Sequence, residues 1–153
     1  MSRTTHGLRT GNKTPPEYSV WRNTIRRCYG NVQGSDLYKA NGITVCDRWR
    51  FGEGDLTGVE CFISDMGPRP SPKHSVDRID NNGPYSPDNC RWATPKQQQR
   101  NKSDNRHVVF RGREMVLAEA IELSGIQPRL ARLRVWRGWD VEAALTKPAR
   151  NYR

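Results

Sequence analysis

No apolar run in this chain approaches the roughly 20 residues needed to cross a bilayer, so a membrane-spanning segment is not expected. The stretch Met1 to Lys13 is polar, so the apolar region of a secretory signal is missing as well. Without an export signal the expected location is the cytoplasm, a reducing compartment. The four cysteines, Cys28, Cys46, Cys61 and Cys90, stand far apart, with no Cys-x-x-Cys among them. That argues against disulfides and against a zinc knuckle legible from spacing alone, and the plain reading is buried, inert thiols. Hydrophobic residues are scarce at 34 %, enough for a core but a thin one, and small cores often draw on a metal or another staple. Acidic residues are short too. Sixteen Asp and Glu face 26 Lys and Arg, for a net charge of +10. Such an excess calls for a polyanion, and nucleic acid fits better than an acidic membrane surface.

What is present divides the 153 residues into recognisable stretches. Residues 1–14 read as a loose basic arm. Pro15-Pro16-Glu17 opens a helix, and Tyr18, Trp21, Ile25 and Cys28 repeat at helical spacing. Arg22, Arg26 and Arg27 fall off that apolar face, either as a solvated surface or as phosphate contacts. Gly30 to Gly42 reads as a turn-rich loop, Ile43 to Cys46 as a short strand and Phe51 to Gly58 as another loop. Val59, Phe62, Ile63 and Met66 then predict a short helix ended by Gly67-Pro68. His74–Ile79 and Cys90–Thr94 read as strands around a long turn, and Pro95–Ser103 as a helix capped by Thr94. After a linker at Asp104–His107 come a small hairpin, a helix at Leu117–Ser124, a second at Arg129–Arg137 and a short third at Asp140–Leu145. Ile121, Ile126, Leu130, Leu133 and Leu145 are the expected small core of this last stretch.

The block His74-Ser75-Val76-Asp77-Arg78-Ile79-Asp80-Asn81-Asn82-Gly83, followed by Tyr85-Ser86-Pro87-Asp88-Asn89-Cys90-Arg91-Trp92-Ala93-Thr94 and Gln97 to Asn101, resembles the ββα-metal site of phage-type HNH (His-Me finger) homing endonucleases. Upstream, Tyr18-Ser19-Val20-Trp21, Arg27-Cys28-Tyr29, Gly42 to Trp49 and Asp65 to Pro70 look like the same group. Residues 15–102 carry the resemblance, and its motifs are specific only when taken together. The fold it implies is α+β: a ββα-metal nuclease core with flanking helices over 15–103, followed by a small C-terminal helical domain over 108–148. The activity it implies is metal-dependent hydrolysis of DNA phosphodiesters, site-specific, of homing or nicking type. The location would be the host cytoplasm for a phage-encoded chain.

By resemblance, Asp77 matches the metal-binding Asp, and Asn89 the Asn that braces the loop. The helix ligand falls at Gln98, with Asn101 one turn further on as the competing choice. A hard cation such as Mg²⁺ or Mn²⁺ takes oxygen ligands and keeps several waters, and it supplies the Lewis acidity that phosphodiester cleavage needs. The sequence departs from the family where better-known members place a general-base His after the metal Asp. Here that residue is Arg78, which stays protonated and cannot take a proton from water, though it could clamp the phosphate. The base is then His74, a metal-bound hydroxide or nothing. Histidine is the side chain suited to such a base near neutral pH, but His74 sits three residues before Asp77, on the opposite face of a regular strand. His74 is also open to two other readings, a core histidine or, with Cys28, Cys46 and Cys90, a ligand of a structural zinc.

Leu117-Ala118-Glu119-Ala120-Ile121, Gly125-Ile126 and Leu130, Leu133, Trp136 read as a helix-turn-helix. Its second helix would carry Arg129, Arg132, Arg134 and Arg137 to phosphates or guanine edges. The alternative is a helical hairpin with a solvated basic face. Together with Arg22, Arg26 and Arg91, these are the expected contacts to double-stranded DNA. A chain that kept the scaffold and lost catalysis while still binding DNA sequence-specifically is the second functional reading, favoured by Arg78. An RNA-binding module is weaker, for want of an aromatic platform. Monomer and homodimer both remain open.

Overall fold

Pro16 lies in the first turn of helix α1 (Pro16–Tyr29), where its missing N–H costs no hydrogen bond. The computed structural model describes residues 14–149, so the basic arm expected at 1–14 falls almost wholly outside the described residues. The architecture is α+β, with two small antiparallel hairpins among eight helices in the described residues. The chain divides into two compact units, Met1–Gln98 and Gln99–Arg153.

In the first unit, α1 buries Thr24 and Cys28. The loop expected over Gly30 to Gly42 contains a helix, α2 (Ser35–Ala40). The strand expected at Ile43–Cys46 is also revised. Val45 makes a single parallel bridge to Tyr85, and the chain turns at once into α3 (Asp47–Phe51). Ile43 and Val45 are apolar because they enter the core, not because they join a ladder. Helix α4 (Gly58–Met66) starts with the Glu60 carboxylate accepting from the backbone N–H of Thr57 at 2.8 Å. Gly58 allows α3 and α4 to approach closely, since a Cβ there would lie 2.5 Å from the carbonyl oxygen of Trp49.

Trp49 and Phe62 are fully buried and meet edge to face at 4.9 Å between ring centroids. Each indole near them has a partner for its N–H. Trp49 donates to Asp65 (2.7 Å), Trp21 to the carbonyl of Trp49 (2.7 Å) and Trp92 to the carbonyl of Met66 (2.9 Å). The Arg48 guanidinium, aided by the Trp49 indole, holds Asp65 below the usual carboxylate range. Strands β1 (Ser75–Arg78) and β2 (Cys90–Ala93) pair antiparallel, with Val76 opposite Trp92 and Asp77 opposite Arg91. Helix α5 (Pro95–Arg100) follows, shorter than the expected Pro95–Ser103. Thr94 and Gln97 cap it reciprocally: Gln97 N donates to Thr94 Oγ1 at 3.3 Å and Thr94 N to Gln97 Oε1 at 2.8 Å.

In the second unit, β3 (His107–Phe110) and β4 (Arg113–Val116) form a hairpin whose turn residues Arg111 and Gly112 both have positive φ. That is the turn handedness which matches strand twist. The segment read as a linker, Asp104–His107, lies inside this unit and runs into β3. Helices α6 (Leu117–Ser124), α7 (Pro128–Trp136) and α8 (Val141–Thr146) complete it. The core comprises Val108, Phe110, Ala120, Ile121, Ala131 and Leu145. Leu133 is not part of it: α7 buries Ala131, Arg134 and Val135, leaving Leu133 40 % exposed.

Candidate functional site

The β1–β2 hairpin and the helix after it place most of the residues singled out in the first unit. Strand alternation sends Val76 into the core and Asp77 to the other face. Asp77 is nonetheless only 9 % exposed. Its cross-strand neighbour Arg91 covers it, donating to Oδ2 from Nε at 3.2 Å and from Nη2 at 3.1 Å. Arg91, expected as a DNA contact, is thus also the ion-pair partner of the key carboxylate. The cue was present in the sequence, since an antiparallel hairpin with a long turn sets Asp77 and Arg91 face to face.

Gln98 reaches back from α5 to the same strand. Its amide nitrogen donates to the carbonyl of Val76 at 3.3 Å. That carbonyl belongs to the peptide group joining Val76 to Asp77, so the helix amide is docked against the backbone of the carboxylate residue. Asn101 lies just past the end of α5, in the second unit.

Asn89 ties the turn between the strands together. Its Oδ1 accepts from the backbone N–H of Asp80 (2.8 Å), and its Nδ2 donates to the carbonyls of Asp80 (3.0 Å) and Pro84 (2.9 Å). Space beside it is limited, because a Cβ on Gly83 would come within 2.7 Å of Asn89 Nδ2. Gly83→Ala is therefore expected to shift the Asn89 amide and lower stability by about 1–3 kcal/mol, measured by thermal or urea unfolding.

Arg78 is placed differently from a phosphate clamp beside Asp77. It alternates to the other face of β1, donates from Nη1 to the carbonyl of Gly83 at 2.8 Å and lies over the Tyr85 ring at 5.0 Å and the Tyr38 ring at 5.6 Å. The guanidinium braces the turn between the strands, over two tyrosines that no local sequence pattern brings beside it. Burial pushes the Tyr85 hydroxyl up to about 12. His74, just before β1, shares a 2.9 Å hydrogen bond between its Nδ1 and Ser71 Oγ.

The thiols considered for zinc belong to the core. Cys28 and Cys90 are buried in it and Cys46 packs against it. Burial raises the Cys28 and Cys46 thiols and pushes Cys90 up to about 11. Among the described residues no group of three or more His, Cys, Asp or Glu side chains stands together to hold a metal. Two results follow. At pH 8 iodoacetamide should leave Cys28, Cys61 and Cys90 unmodified in the native chain and alkylate them in urea, as mass spectrometry would show. The second concerns alkali. Since the folded thiol of Cys90 titrates above its ordinary value of 9.0, its contribution to stability is intact below pH 9 and is lost as pH rises toward 11. The urea midpoint should fall across that window.

The basic residues separate into exposed and structural ones. Arg22 and Arg26 on α1 are exposed, as are Arg129, Arg132 and Arg137 on and just after α7. Arg134 is not available to DNA. It is 7 % exposed, and it donates to the carbonyls of Ala144 (3.1 Å) and Pro148 (2.8 Å), and also to that of Lys147. These oxygens come from the end of α8 and the residues after it, where helical carbonyls lack partners of their own. Among the described residues no helix is long and apolar enough to cross a membrane. No family model, curated protein or solved structure matches this chain.

Proposed function

We propose that this chain is a metal-dependent DNA endonuclease of the HNH type, with the β1–β2–α5 segment as its cleavage site and α7 as a DNA-reading helix of a C-terminal helix-turn-helix. The observation that carries this is the hydrogen bond from the Gln98 amide to the Val76 carbonyl, which sets a side-chain amide of α5 against the strand that carries the buried Asp77. That donor set is all oxygen, one carboxylate and one neutral amide, as suits Mg²⁺ or Mn²⁺ completed by waters and a substrate phosphate, and it does not suit zinc. Asp77 and Gln98 would hold the ion, which when bound would polarise the phosphate and lower the pKa of a coordinated water.

The chain's own residues supply the rest. Asn89 and Arg78 fix the turn that holds β1 and β2 in register. Arg91 neutralises Asp77 and, being half-exposed, stands where it can turn to a phosphate. Arg22, Arg26, Arg129, Arg132 and Arg137 offer cations for backbone contacts that orient the duplex.

A second reading, a DNA-binding protein without catalysis, is favoured by one feature: Asp77 is already paired with Arg91, and the residue after it cannot serve as a base. Incubating supercoiled plasmid with Mg²⁺ or with EDTA distinguishes the two readings. Nicked or linear product in Mg²⁺ alone supports the nuclease, and binding without any product supports the second reading. Under either, log affinity for duplex should fall with log salt by about 0.9 per phosphate neutralised, and a flat response would remove DNA as the partner.

A further inference from the structure

Helix α7 has an outer face that folding does not account for. With Ala131, Arg134 and Val135 turned inward, Arg129, Arg132, Leu133 and Trp136 line the other side at spacings of three and four, all exposed. Trp136 is 80 % exposed, unusual for a side chain that is highly buried on average. No Asp or Glu occurs between Ser124 and Trp139, while Arg129, Arg132, Arg134 and Arg137 do, and of these Arg134 is committed to the fold. An exposed indole is thus set among guanidinium groups, and the next acidic residue along the chain, Asp140, is engaged in capping α8.

Resting on the DNA-binding reading above, we propose that Trp136 stacks on an unstacked base of the DNA whose phosphates Arg129, Arg132 and Arg137 hold. The charge selects a polyanion over a protein surface of ordinary composition. Phosphates have no use for an indole, but a base does, since every base presents a π face. The unstacked base has two sources, an unpaired nucleotide or a step opened by kinking the duplex, and the second costs a few kcal/mol of stacking.

The test uses the full chain in EDTA, so that no cutting intervenes, and compares by fluorescence anisotropy an intact duplex with the same duplex carrying one unpaired central base. Wild type should bind the bulged duplex about tenfold more tightly. Trp136→Phe should keep most of that preference. Trp136→Leu keeps apolar bulk but has no ring, and it should bind both duplexes alike. As the position is exposed, the thermal melting of both variants should match wild type. A preference retained by Trp136→Leu, or no preference in wild type, overturns the stacking role while leaving salt-sensitive DNA binding intact. Wild type binding neither duplex would overturn the DNA reading together with it.

Discussion

Asp77→Ala should lower Mg²⁺-dependent plasmid nicking by roughly a thousandfold or more, leaving duplex binding in EDTA within a few-fold of wild type. The size follows from what the carboxylate is asked to do. The proposed site holds a single carboxylate, so its loss removes the ion's charged protein ligand, and about 4 kcal/mol of transition-state stabilisation corresponds to that factor. Binding should be spared or slightly strengthened, because Arg91 loses its partner and turns its charge to the DNA. Asp77→Asn gives the more stringent comparison, as it keeps the shape and can still accept from Arg91. Asp77→Ala should lose about 1–3 kcal/mol for the pair broken within a mostly buried site, Asp77→Asn less, and both should remain folded under the assay conditions. Undiminished nicking by either variant would place the ion elsewhere.

Arg134→Ala should destabilise the second unit by about 2–4 kcal/mol and lower its melting temperature by roughly 10 °C or more. The guanidinium is buried, it satisfies carbonyls at the end of α8, and it lies over the Trp139 ring at 5.0 Å. Removing it leaves those oxygens without their donor and opens a gap beside α7 and α8. Arg134→Lys should recover little, because one ammonium cannot reproduce a planar fork that reaches several acceptors at once. Arg132→Ala is the contrast. It is exposed on the same helix, so it should melt like wild type and weaken DNA binding with a shallower salt slope. Thermal unfolding by circular dichroism and anisotropy titration, run on the same three variants, separate the two roles.

That contrast shows where the sequence was legible. Four arginines on one predicted helix look alike as letters, and only the packing of α7 against α8 tells which one points inward. The same rotation displaced Leu133 from the expected core, because Ala131 and Val135 fill the space an apolar stripe through Leu130 and Leu133 would have occupied. Helices α1, α4, α6 and α7 and both hairpins were readable, since each has a periodic apolar face or a turn signal at its ends. Helix α2 was not, because Ser35–Ala40 is too short to show a period and follows a run of turn formers. The segment Ile43–Cys46 looked like a strand because β-branched residues entering a core and β-branched residues in a ladder have the same composition.

In the site, the carboxylate on β1 and the amide on α5 were visible from their order in the chain. The ion pair of Asp77 with Arg91 and the stacking of Arg78 on Tyr85 and Tyr38 depend on register and on contacts distant in sequence. Register could have been inferred from the hairpin. The Tyr38 contact could not, because it joins segments separated by α3 and α4.

Under the proposed function, Asp77 and Gln98 together grip a hard cation. Substoichiometric Mn²⁺ added to the isotopically labelled chain tests it, because a paramagnetic ion broadens the resonances nearest to it first. The backbone amide of Asp77 and the side-chain amide of Gln98 should vanish ahead of all others in wild type and persist in Asp77→Asn. Broadening that begins around other carboxylates, or that is unchanged by the substitution, would contradict the claim.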